Sequence, residues 1–218
     1  MIPIICFVGT SDTGKTTFLE KLIPVFKERG YKVGTVKHDV HGFQIDHEGK
    51  DTWRHKRAGA QTVGILSPRG MASVRETAEE MDLARFVGKT FWNEDLVLAE
   101  GFKGSPYPKI EVFRAALRDH PLCSRKEHLV ALVSDDPVET DVPVFSFEGV
   151  EKVADFIEER FLEGRTSANV QVFCDGRKVP MNNFVEEIIA GALKGMLSTL
   201  RGWESPGTVE ISLRLREK

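Results

Sequence analysis

The sequence predicts an α/β protein of three layers, in which helices cover both faces of a mostly parallel β-sheet. Two observations lead to this fold class. Residues 2–8 are continuously apolar and rich in β-branched side chains, as expected for a central parallel strand that is buried on both faces. Predicted strands and amphipathic helices then alternate as far as about residue 162, and this alternation is typical of βαβ units.

The other predicted elements follow this first strand in order. Apolar spacing over residues 17–29 predicts an amphipathic helix that Gly30 ends, and residues 31–37 are expected to form the second strand. Further helices are predicted at 50–60, at 75–87 and from 150 to about 162. Further strands are predicted at 62–66, 95–99, 109–113, 129–134 and 142–147.

A change in composition divides the chain into two parts. Residues 163–169 are polar, small and turn-prone, which indicates a linker between a main domain at 1–164 and a small C-terminal α+β extension at 169–218. In this β-α-β appendage we expect a strand at 170–174, a turn at 175–176, a helix at 181–200 and an alternating strand at 209–215. Because so short a piece buries little surface alone, we expect it to pack on the main domain or on a second copy.

Composition and charge exclude several classes of protein. The net charge of -3 over 218 residues provides no global field for nucleic acid or a membrane, so we expect neither as a partner. The apolar runs are too short to cross a bilayer, and because residues 2–8 are interpreted as a core strand, we expect no secretory signal. The three cysteines are scattered, which favours reduced thiols and a cytoplasmic location.

A phosphate-binding motif follows the first strand. Residues 9–16 match G-x-x-x-x-G-K-[ST] at every fixed position, and the matching residues are Gly9, Thr10, Ser11, Asp12, Thr13, Gly14, Lys15 and Thr16. The glycines allow successive amide N–H groups to point into one concavity, and the helix that starts there adds its unpaired N–H groups. Lys15 is expected to neutralise the β- and γ-phosphates, and the Thr16 hydroxyl to bind Mg²⁺. The sequence therefore predicts a P-loop NTPase fold and a protein that binds a nucleoside triphosphate.

The metal ion also needs a carboxylate, and the predicted strand at 95–99 is flanked by two. Ligands of parallel sheets bind beyond the carboxyl ends of the strands. Glu100 stands at that end, so it is expected to bind the metal or to orient water. Asp95 stands at the opposite end and is expected to cap or solvate the start of the strand.

The segment after the second strand, residues 37–46, is expected to lie over the phosphates as a mobile loop. Asp46 is expected to reach Mg²⁺ through water, and Lys37 to add positive potential. Four of the six histidines lie nearby, but their spacing does not match a strong zinc pattern. Arg54 and Arg57 lie three residues apart on a predicted helix, which is either a solvated basic face or a site for an anionic ligand.

Taken together, these segments resemble the molybdopterin-guanine dinucleotide biosynthesis adapter protein B (MobB) family. The resemblance covers about residues 1–163, and it is carried by GTSDTGKTTFLEKLIPVFKERG, VGTVKHDVHGFQID, GKDTWRHKRAGAQT and DLVLAEGFK. It implies a GTP-binding, Mg²⁺-dependent homodimer. It also implies that this protein assists the molybdenum cofactor guanylyltransferase, which attaches GMP to molybdopterin.

The resemblance also implies roles for individual residues. Residues 9–17, which include Thr17, would bind the phosphates, and Thr16, Asp46 and Glu100 would surround the metal. Asp135 would lie beside the base, where a carboxylate can pair with the guanine N1–H and N2–H₂ groups. Two departures from the usual patterns are visible: Glu48 precedes Gly49 where the family tends to have proline, and an Asn-Lys-x-Asp guanine motif is missing.

Three functions remain open from the sequence. The first is a weak GTPase in molybdenum cofactor maturation, with Lys15 and Glu100 as its catalytic residues. Its hydrolysis is expected to be slow, because neither an arginine finger nor a water-orienting glutamine can be assigned. The second is a non-hydrolysing module that binds GTP and the cofactor precursor. The third is a small-molecule kinase, against which we find no Arg-rich lid segment. A nickel-insertion GTPase is disfavoured, since the chain has neither a Cys-Pro motif nor a His-rich tail.

Overall fold

A computed structural model describes residues 2–40, 42, 46–91, 93–163, 170, 172–174, 177–204, 209 and 211. The strands in these residues are β1 (Ile4–Val8), β2 (Val33–Lys37), β3 (Thr62–Ser67), β4 (Gly70–Arg75), β5 (Leu96–Glu100), β6 (Lys109–Val112), β7 (Leu129–Val133), β8 (Val144–Phe145), β9 (Phe173–Cys174) and β10 (Arg177–Lys178). The α-helices are α1 (Lys15–Glu28), α2 (Asp51–Arg57), α3 (Leu83–Thr90), α4 (Val150–Ile157) and α5 (Asn183–Leu197). A π-helical turn, Glu158–Leu162, continues α4.

The main sheet has six strands in the order β2-β5-β1-β6-β7-β8. Each neighbouring pair in it is parallel, so the carboxyl ends of all six strands lie at one edge. The strand β1 lies between β5 and β6, and all of its residues are buried. The predicted mostly parallel sheet, with the first strand at its centre, is confirmed.

Two apolar layers enclose this sheet. On one face, Phe18, Leu22 and Phe26 of α1 pack with Val153 and Ile157 of α4. On the other face, a second cluster joins Leu83 and Val87 of α3 to alternate residues of β1 and β5. Since side chains alternate between the faces of a strand, the continuous apolar run of β1 supplies both layers. The three-layer prediction is confirmed.

An ion-pair cluster joins the end of α1 to α4. The guanidinium of Arg29 lies 2.8 Å from Glu151, 2.7 Å from Asp155 and 2.7 Å from Glu158. The Tyr31 hydroxyl donates a hydrogen bond of 2.6 Å to Glu158 as well. These two donors lower the pKa of the Glu158 carboxyl, the Tyr31 hydrogen bond contributing most. The same hydrogen bond raises the pKa of Tyr31 to about 12.

The predicted helix at 75–87 is wrong in its first half. Arg75 is the last residue of β4 (Gly70–Arg75), which pairs antiparallel with β3 in a separate hairpin. Residues 76–82 belong to no helix or strand, and the helix α3 begins only at Leu83. Asp82 caps this helix by accepting a hydrogen bond from the Arg85 N–H group. The predicted strand at 62–66 is confirmed as β3, but it lies outside the main sheet. A two-stranded hairpin buries little surface, and accordingly it exposes Ile65, Leu66 and Met71.

The C-terminal extension contributes the hairpin of β9 and β10 and the helix α5. Asn182 caps α5 by accepting a hydrogen bond from the Val185 N–H group. Beyond its own elements, the backbone of β10 lies near α3, and α5 exposes Phe184, Ile188 and Met196. Most of the predicted linker, the turn at 175–176 and most of the strand at 209–215 lie outside the described residues, so the domain boundary stays a prediction. Within the described residues, no helix combines the length and apolarity that a membrane crossing needs.

The lowered pKa of Glu158 generates a prediction about stability. A carboxylate whose pKa is depressed in the folded state stabilises the protein above its unfolded pKa, and this stabilisation is lost as the pH falls through the folded value. We expect Glu158→Gln to lower the thermal midpoint at pH 7. The difference from the unaltered chain should shrink below about pH 4.3, the pKa of an ordinary glutamate. Thermal unfolding followed by circular dichroism from pH 3 to 7 measures this, and a pH-independent difference would contradict the assignment.

Candidate functional site

The loop between β1 and α1 depends on two glycines in conformations that other residues rarely adopt. Gly9 has φ 148° and Gly14 has φ 96°. A Cβ atom on Gly9 would lie 2.4 Å from the Val112 carbonyl oxygen and 2.9 Å from Thr13 Oγ1. A side chain therefore does not fit at position 9, and the glycines are needed for the curl that the motif predicts.

Hydrogen bonds within the loop hold this curl. The Thr13 hydroxyl, which is buried, donates to the Thr10 carbonyl at 3.1 Å. Lys15 Nζ donates to the same carbonyl at 2.6 Å. The helix α1 starts at Lys15, and its N-cap, Gly14, has no side chain to occupy the first N–H groups of the helix. These groups are available to an anion, together with the positive end of the helix dipole.

Glu100 lies beside the loop, as predicted from its place at the carboxyl end of β5. Its Oε2 accepts a hydrogen bond of 2.9 Å from the Thr16 hydroxyl, and its Oε1 lies 3.4 Å from Lys37 Nζ. Asp95, at the opposite end of the strand, accepts a hydrogen bond from the Lys32 N–H group at 2.8 Å. The two carboxylates thus lie at opposite ends of β5 as predicted, and Asp95 holds the residue that precedes β2. The role of Glu100 as a metal ligand stays a prediction.

Burial lowers the pKa of Lys15, and the positive charges of Lys103 and Lys37 lower it further, while Glu100 opposes them. The Lys15 ammonium is thus held in a partly desolvated place, next to two further cations. An anion that binds beside Lys15 would stabilise its charged form, which burial and the neighbouring cations destabilise. The electrostatics therefore favour a polyanion over a neutral ligand.

Asp46 fits a role as a ligand of a hard cation. Its Oδ1 accepts a hydrogen bond of 2.9 Å from the Thr52 hydroxyl, while its Oδ2 is buried without a hydrogen-bond partner among the described residues. A buried carboxylate oxygen is costly unless a donor or cation satisfies it. Thr16 and Glu100 contact each other, whereas Asp46 is joined to Thr52 near the start of α2. All three carry oxygen atoms of the kind that Mg²⁺ prefers, and their role as metal ligands stays a prediction. Residues 41 and 43–45 of the same loop lie outside the described residues.

A cleft of about 140 Å³ opens beside these groups, between α1 and β2. Polar residues and apolar residues share its wall; the polar ones are Thr16, Glu20, Thr35, Lys37 and Glu100, and the apolar ones are Leu19, Ile23, Val36 and Leu98. The sheet edge at β2 is thus open to a ligand next to the predicted metal site.

Asp135 lies on the other side of β1, in the loop that follows β7. Its Oδ1 accepts a hydrogen bond of 3.0 Å from the Phe147 N–H group, after β8. The neighbouring Asp136 accepts one of 2.8 Å from the Ala115 N–H group, after β6. The loops after β6, β7 and β8 are therefore tied together, and they place the exposed Asp135 at the same edge of the sheet as the phosphate loop.

Two side chains at this edge received no role from the sequence, although His38 belongs to the segment that was expected to lie over the phosphates. Arg114, two residues beyond β6, donates from Nε to the Thr13 carbonyl at 3.0 Å. His38 follows β2, stacks on Phe102 at 4.8 Å between ring centroids, and brings its Nε2 to 2.8 Å from Glu80. Both lie within two residues of the carboxyl end of a strand of the parallel sheet, and this position is the signal that could have indicated them.

The basic segment on α2 does not form a shared anion site. Arg54 lies 3.9 Å from Asp51, whereas the guanidinium of Arg57 lies 5.0 Å above the Trp53 ring. The two guanidinium groups have different partners on their own helix, and the geometry favours the solvated-face interpretation. Among the described residues, the structure also contains no cluster of three or more His, Cys, Asp or Glu side chains suited to a metal ion.

The fold and this edge define the class of protein. A six-stranded parallel sheet, with helices on both faces and a glycine-rich loop after its central strand, is P-loop NTPase-like. A profile of the molybdopterin guanine dinucleotide synthesis protein B family matches residues 4–135, and the chain belongs to this family.

Relatives and solved structures agree with this assignment. A molybdopterin-guanine dinucleotide biosynthesis adapter protein of Haemophilus influenzae is 39% identical over 72% of this chain and 88% of its own. That of Escherichia coli is 38% identical over 73% of this chain and 93% of its own. The crystal structure of a molybdopterin-guanine biosynthesis protein B superposes with a TM-score of 0.59, at 31% identity, over 72% of this chain and 98% of its own.

The C-terminal extension has a counterpart in an archaeal relative. A putative adapter protein of Methanocaldococcus jannaschii, 22% identical, aligns with 96% of this chain and 97% of its own. Most of the extension therefore falls within that match. The bacterial relatives above match less than three quarters of this chain. The part of the chain that they do not cover is about as long as the extension.

The crowding around Gly9 generates a prediction. We expect Gly9→Ala to lower stability by about 1–3 kcal/mol, because the added methyl group would force the Val112 carbonyl and the loop apart. Gly104→Ala is the matched control, since a Cβ atom there would meet nothing within 4 Å. Chemical denaturation of both variants measures the effect. Equal stability of the two variants would contradict the described packing of the loop.

Proposed function

We propose that this chain is a GTP-binding accessory protein of molybdenum cofactor biosynthesis with weak, Mg²⁺-dependent GTPase activity. In this role it assists the conversion of molybdopterin into its guanine dinucleotide form. The observation that carries the proposal is the loop from Gly9 to Gly14, whose glycines leave the first N–H groups of α1 uncapped beside Lys15, Thr16 and Glu100. Membership of the family supports the pathway.

The triphosphate is proposed to lie across the carboxyl end of β1. The N–H groups of residues 9–17 and the Lys15 ammonium would hold its phosphates. The Thr16 hydroxyl and Glu100 would hold Mg²⁺ on the β5 side, with Asp46 acting through water. Bound there, Mg²⁺ would neutralise charge on the β- and γ-phosphates. The present hydrogen bond from Thr16 to Glu100 would then exchange for bonds to the metal.

The guanine base is proposed to lie on the β7 side. A carboxylate at Asp135 can accept from two donors of guanine, whereas adenine presents a different pattern of donors and acceptors. The hydrogen bond from the Phe147 N–H group holds Oδ1 of Asp135 in place. This contact supports an ordered carboxylate, which is what base selection needs.

A non-hydrolysing adapter is the second candidate, and it is favoured by the description of the relatives as adapter proteins. In that case the chain binds GTP and the cofactor precursor, and the guanylyltransferase performs the chemistry. Single-turnover hydrolysis of GTP, with and without that transferase, separates the two candidates. Hydrolysis by the isolated chain that needs Lys15 and Mg²⁺ would favour the GTPase.

Partner binding is also part of the proposal. The exposed apolar side chains of the β3–β4 hairpin and of α5 offer surfaces for association. A homodimer and a complex with the guanylyltransferase would each cover part of them. We propose that this assembly works in the cytoplasm, where the three free cysteines stay reduced.

The phosphate site is tested by Lys15→Ala. We expect this variant to lose GTP affinity by at least about a hundredfold, because the charge-assisted contact between the Lys15 ammonium and the phosphates disappears. Lys27→Ala, in the last turn of the same helix, is the matched control and should bind normally. Isothermal titration with Mg·GTP measures both. Unchanged affinity of Lys15→Ala would refute the phosphate site.

The base site is tested by Asp135→Asn. Since the amide both donates and accepts, it no longer matches the two donors of guanine, and we expect the preference for GTP over ATP to fall about tenfold or more. Asp119→Asn, which removes an exposed carboxylate elsewhere, is the control. Competition between the two nucleotides, measured by titration, gives the ratio. A ratio that does not change would discard Asp135 as the residue that recognises the base.

A further inference from the structure

Arg114 lies in contact with the phosphate loop from outside the motif. Its Nε donates to the Thr13 carbonyl at 3.0 Å, and its guanidinium lies 4.1 Å over the Phe147 ring. A Cβ atom on Gly14 would lie 3.7 Å from Nη2 of Arg114 and 3.6 Å from the same ring. Arg114 and Phe147 therefore cover the side of Gly14 where another residue would carry its side chain.

The position of Arg114 in the sheet decides which part of a nucleotide it faces. It follows β6, which neighbours β1 on the side opposite β5. Glu100, Lys37 and the Thr16 hydroxyl, which mark the metal and the γ-phosphate in the proposed function, lie on the β5 side. Asp135, the proposed base contact, follows β7, which is next to β6. Arg114 thus lies between the phosphate loop and the base site.

The contacts of Arg114 use only part of its donor set. A guanidinium carries five N–H donors in a planar fork. One of them fixes the peptide between Thr13 and Gly14, and the ring of Phe147 orients the plane of the fork. The charge that this arrangement holds beside Gly14 is attractive to phosphate oxygens at the nucleoside end of the chain.

We propose that Arg114 is a nucleotide-positioning residue that serves the α- and β-phosphates. It fixes the Thr13–Gly14 peptide, so that the first amides of α1 stay aimed at the phosphates, and it adds a positive charge on the nucleoside side. This inference rests on the proposed function, since it takes the direction of the bound nucleotide from it. It assigns Arg114 a place away from the γ-phosphate, which separates it from an arginine finger.

The test compares the affinities of GTP and GDP, without and with Mg²⁺, for four proteins. These are the unaltered chain, Arg114→Gln, Arg114→Lys and the control Arg118→Gln. The control substitution removes the same charge from the same loop. The Nε of Arg118, however, donates to the His120 carbonyl and not to the phosphate loop. Titrations at about 0.05 M and 0.5 M salt add a readout that a purely structural contact would not change, because salt screens charge.

We expect Arg114→Gln to weaken the binding of GTP and of GDP by the same factor, about tenfold at low salt, with or without Mg²⁺. The factor should shrink at high salt. Arg114→Lys should recover part of the loss, since it keeps the charge but not the fork, and Arg118→Gln should bind normally.

Three results would overturn the inference. Normal affinity of Arg114→Gln would show that the residue does not serve the nucleotide. A loss for GTP without a loss for GDP would place Arg114 at the γ-phosphate. The role would be structural if Arg114→Gln lowered both the affinity and the thermal midpoint, if salt did not change the loss of affinity, and if Arg114→Lys did not recover it. If the unaltered chain bound neither nucleotide, the proposed function would fall first and this inference with it.

Discussion

The structure depends on the sharp turn by which β1 passes into α1. The turn is possible because Gly9 approaches the Val112 carbonyl more closely than any side chain allows, and because Gly14 adopts a left-handed conformation. It brings the start of a 14-residue helix to the edge of the sheet, with its first N–H groups unpaired. An anion at this place completes their hydrogen bonding.

The parallel sheet places the other groups around this turn. Because all six main-sheet strands run in the same direction, the residues that follow β2, β5, β6, β7 and β8 gather at one edge. On one side of β1 the edge carries Glu100 and Lys37, which suit a metal and a terminal phosphate. On the other side Arg114 and Asp135 are joined through Phe147. A nucleotide lying across the edge would have different chemistry at each end.

Local and periodic features of this molecule were readable from the sequence. The phosphate loop, β1 and the capping role of Asp95 follow from short patterns and from the direction of parallel strands. The hairpin of β3 and β4 and the start of α3 at Leu83 were not readable, because apolar spacing over residues 75–87 does not mark where the helix begins. Arg114 was missed for a related reason: its partner, the Thr13 carbonyl, lies 101 positions away in the chain, and nothing local marks the contact. Likewise, no short sequence pattern indicates what covers the exposed apolar side chains of α5.

The most direct test of the central claim follows the backbone amides of the phosphate loop by nuclear magnetic resonance while Mg·GTP is added. We predict saturable shifts of the N–H signals of residues 9–17, with the largest changes at Gly14, Lys15 and Thr16, at one nucleotide per chain. Saturable binding that leaves these signals in place and moves others would contradict it, and so would the absence of binding at millimolar nucleotide.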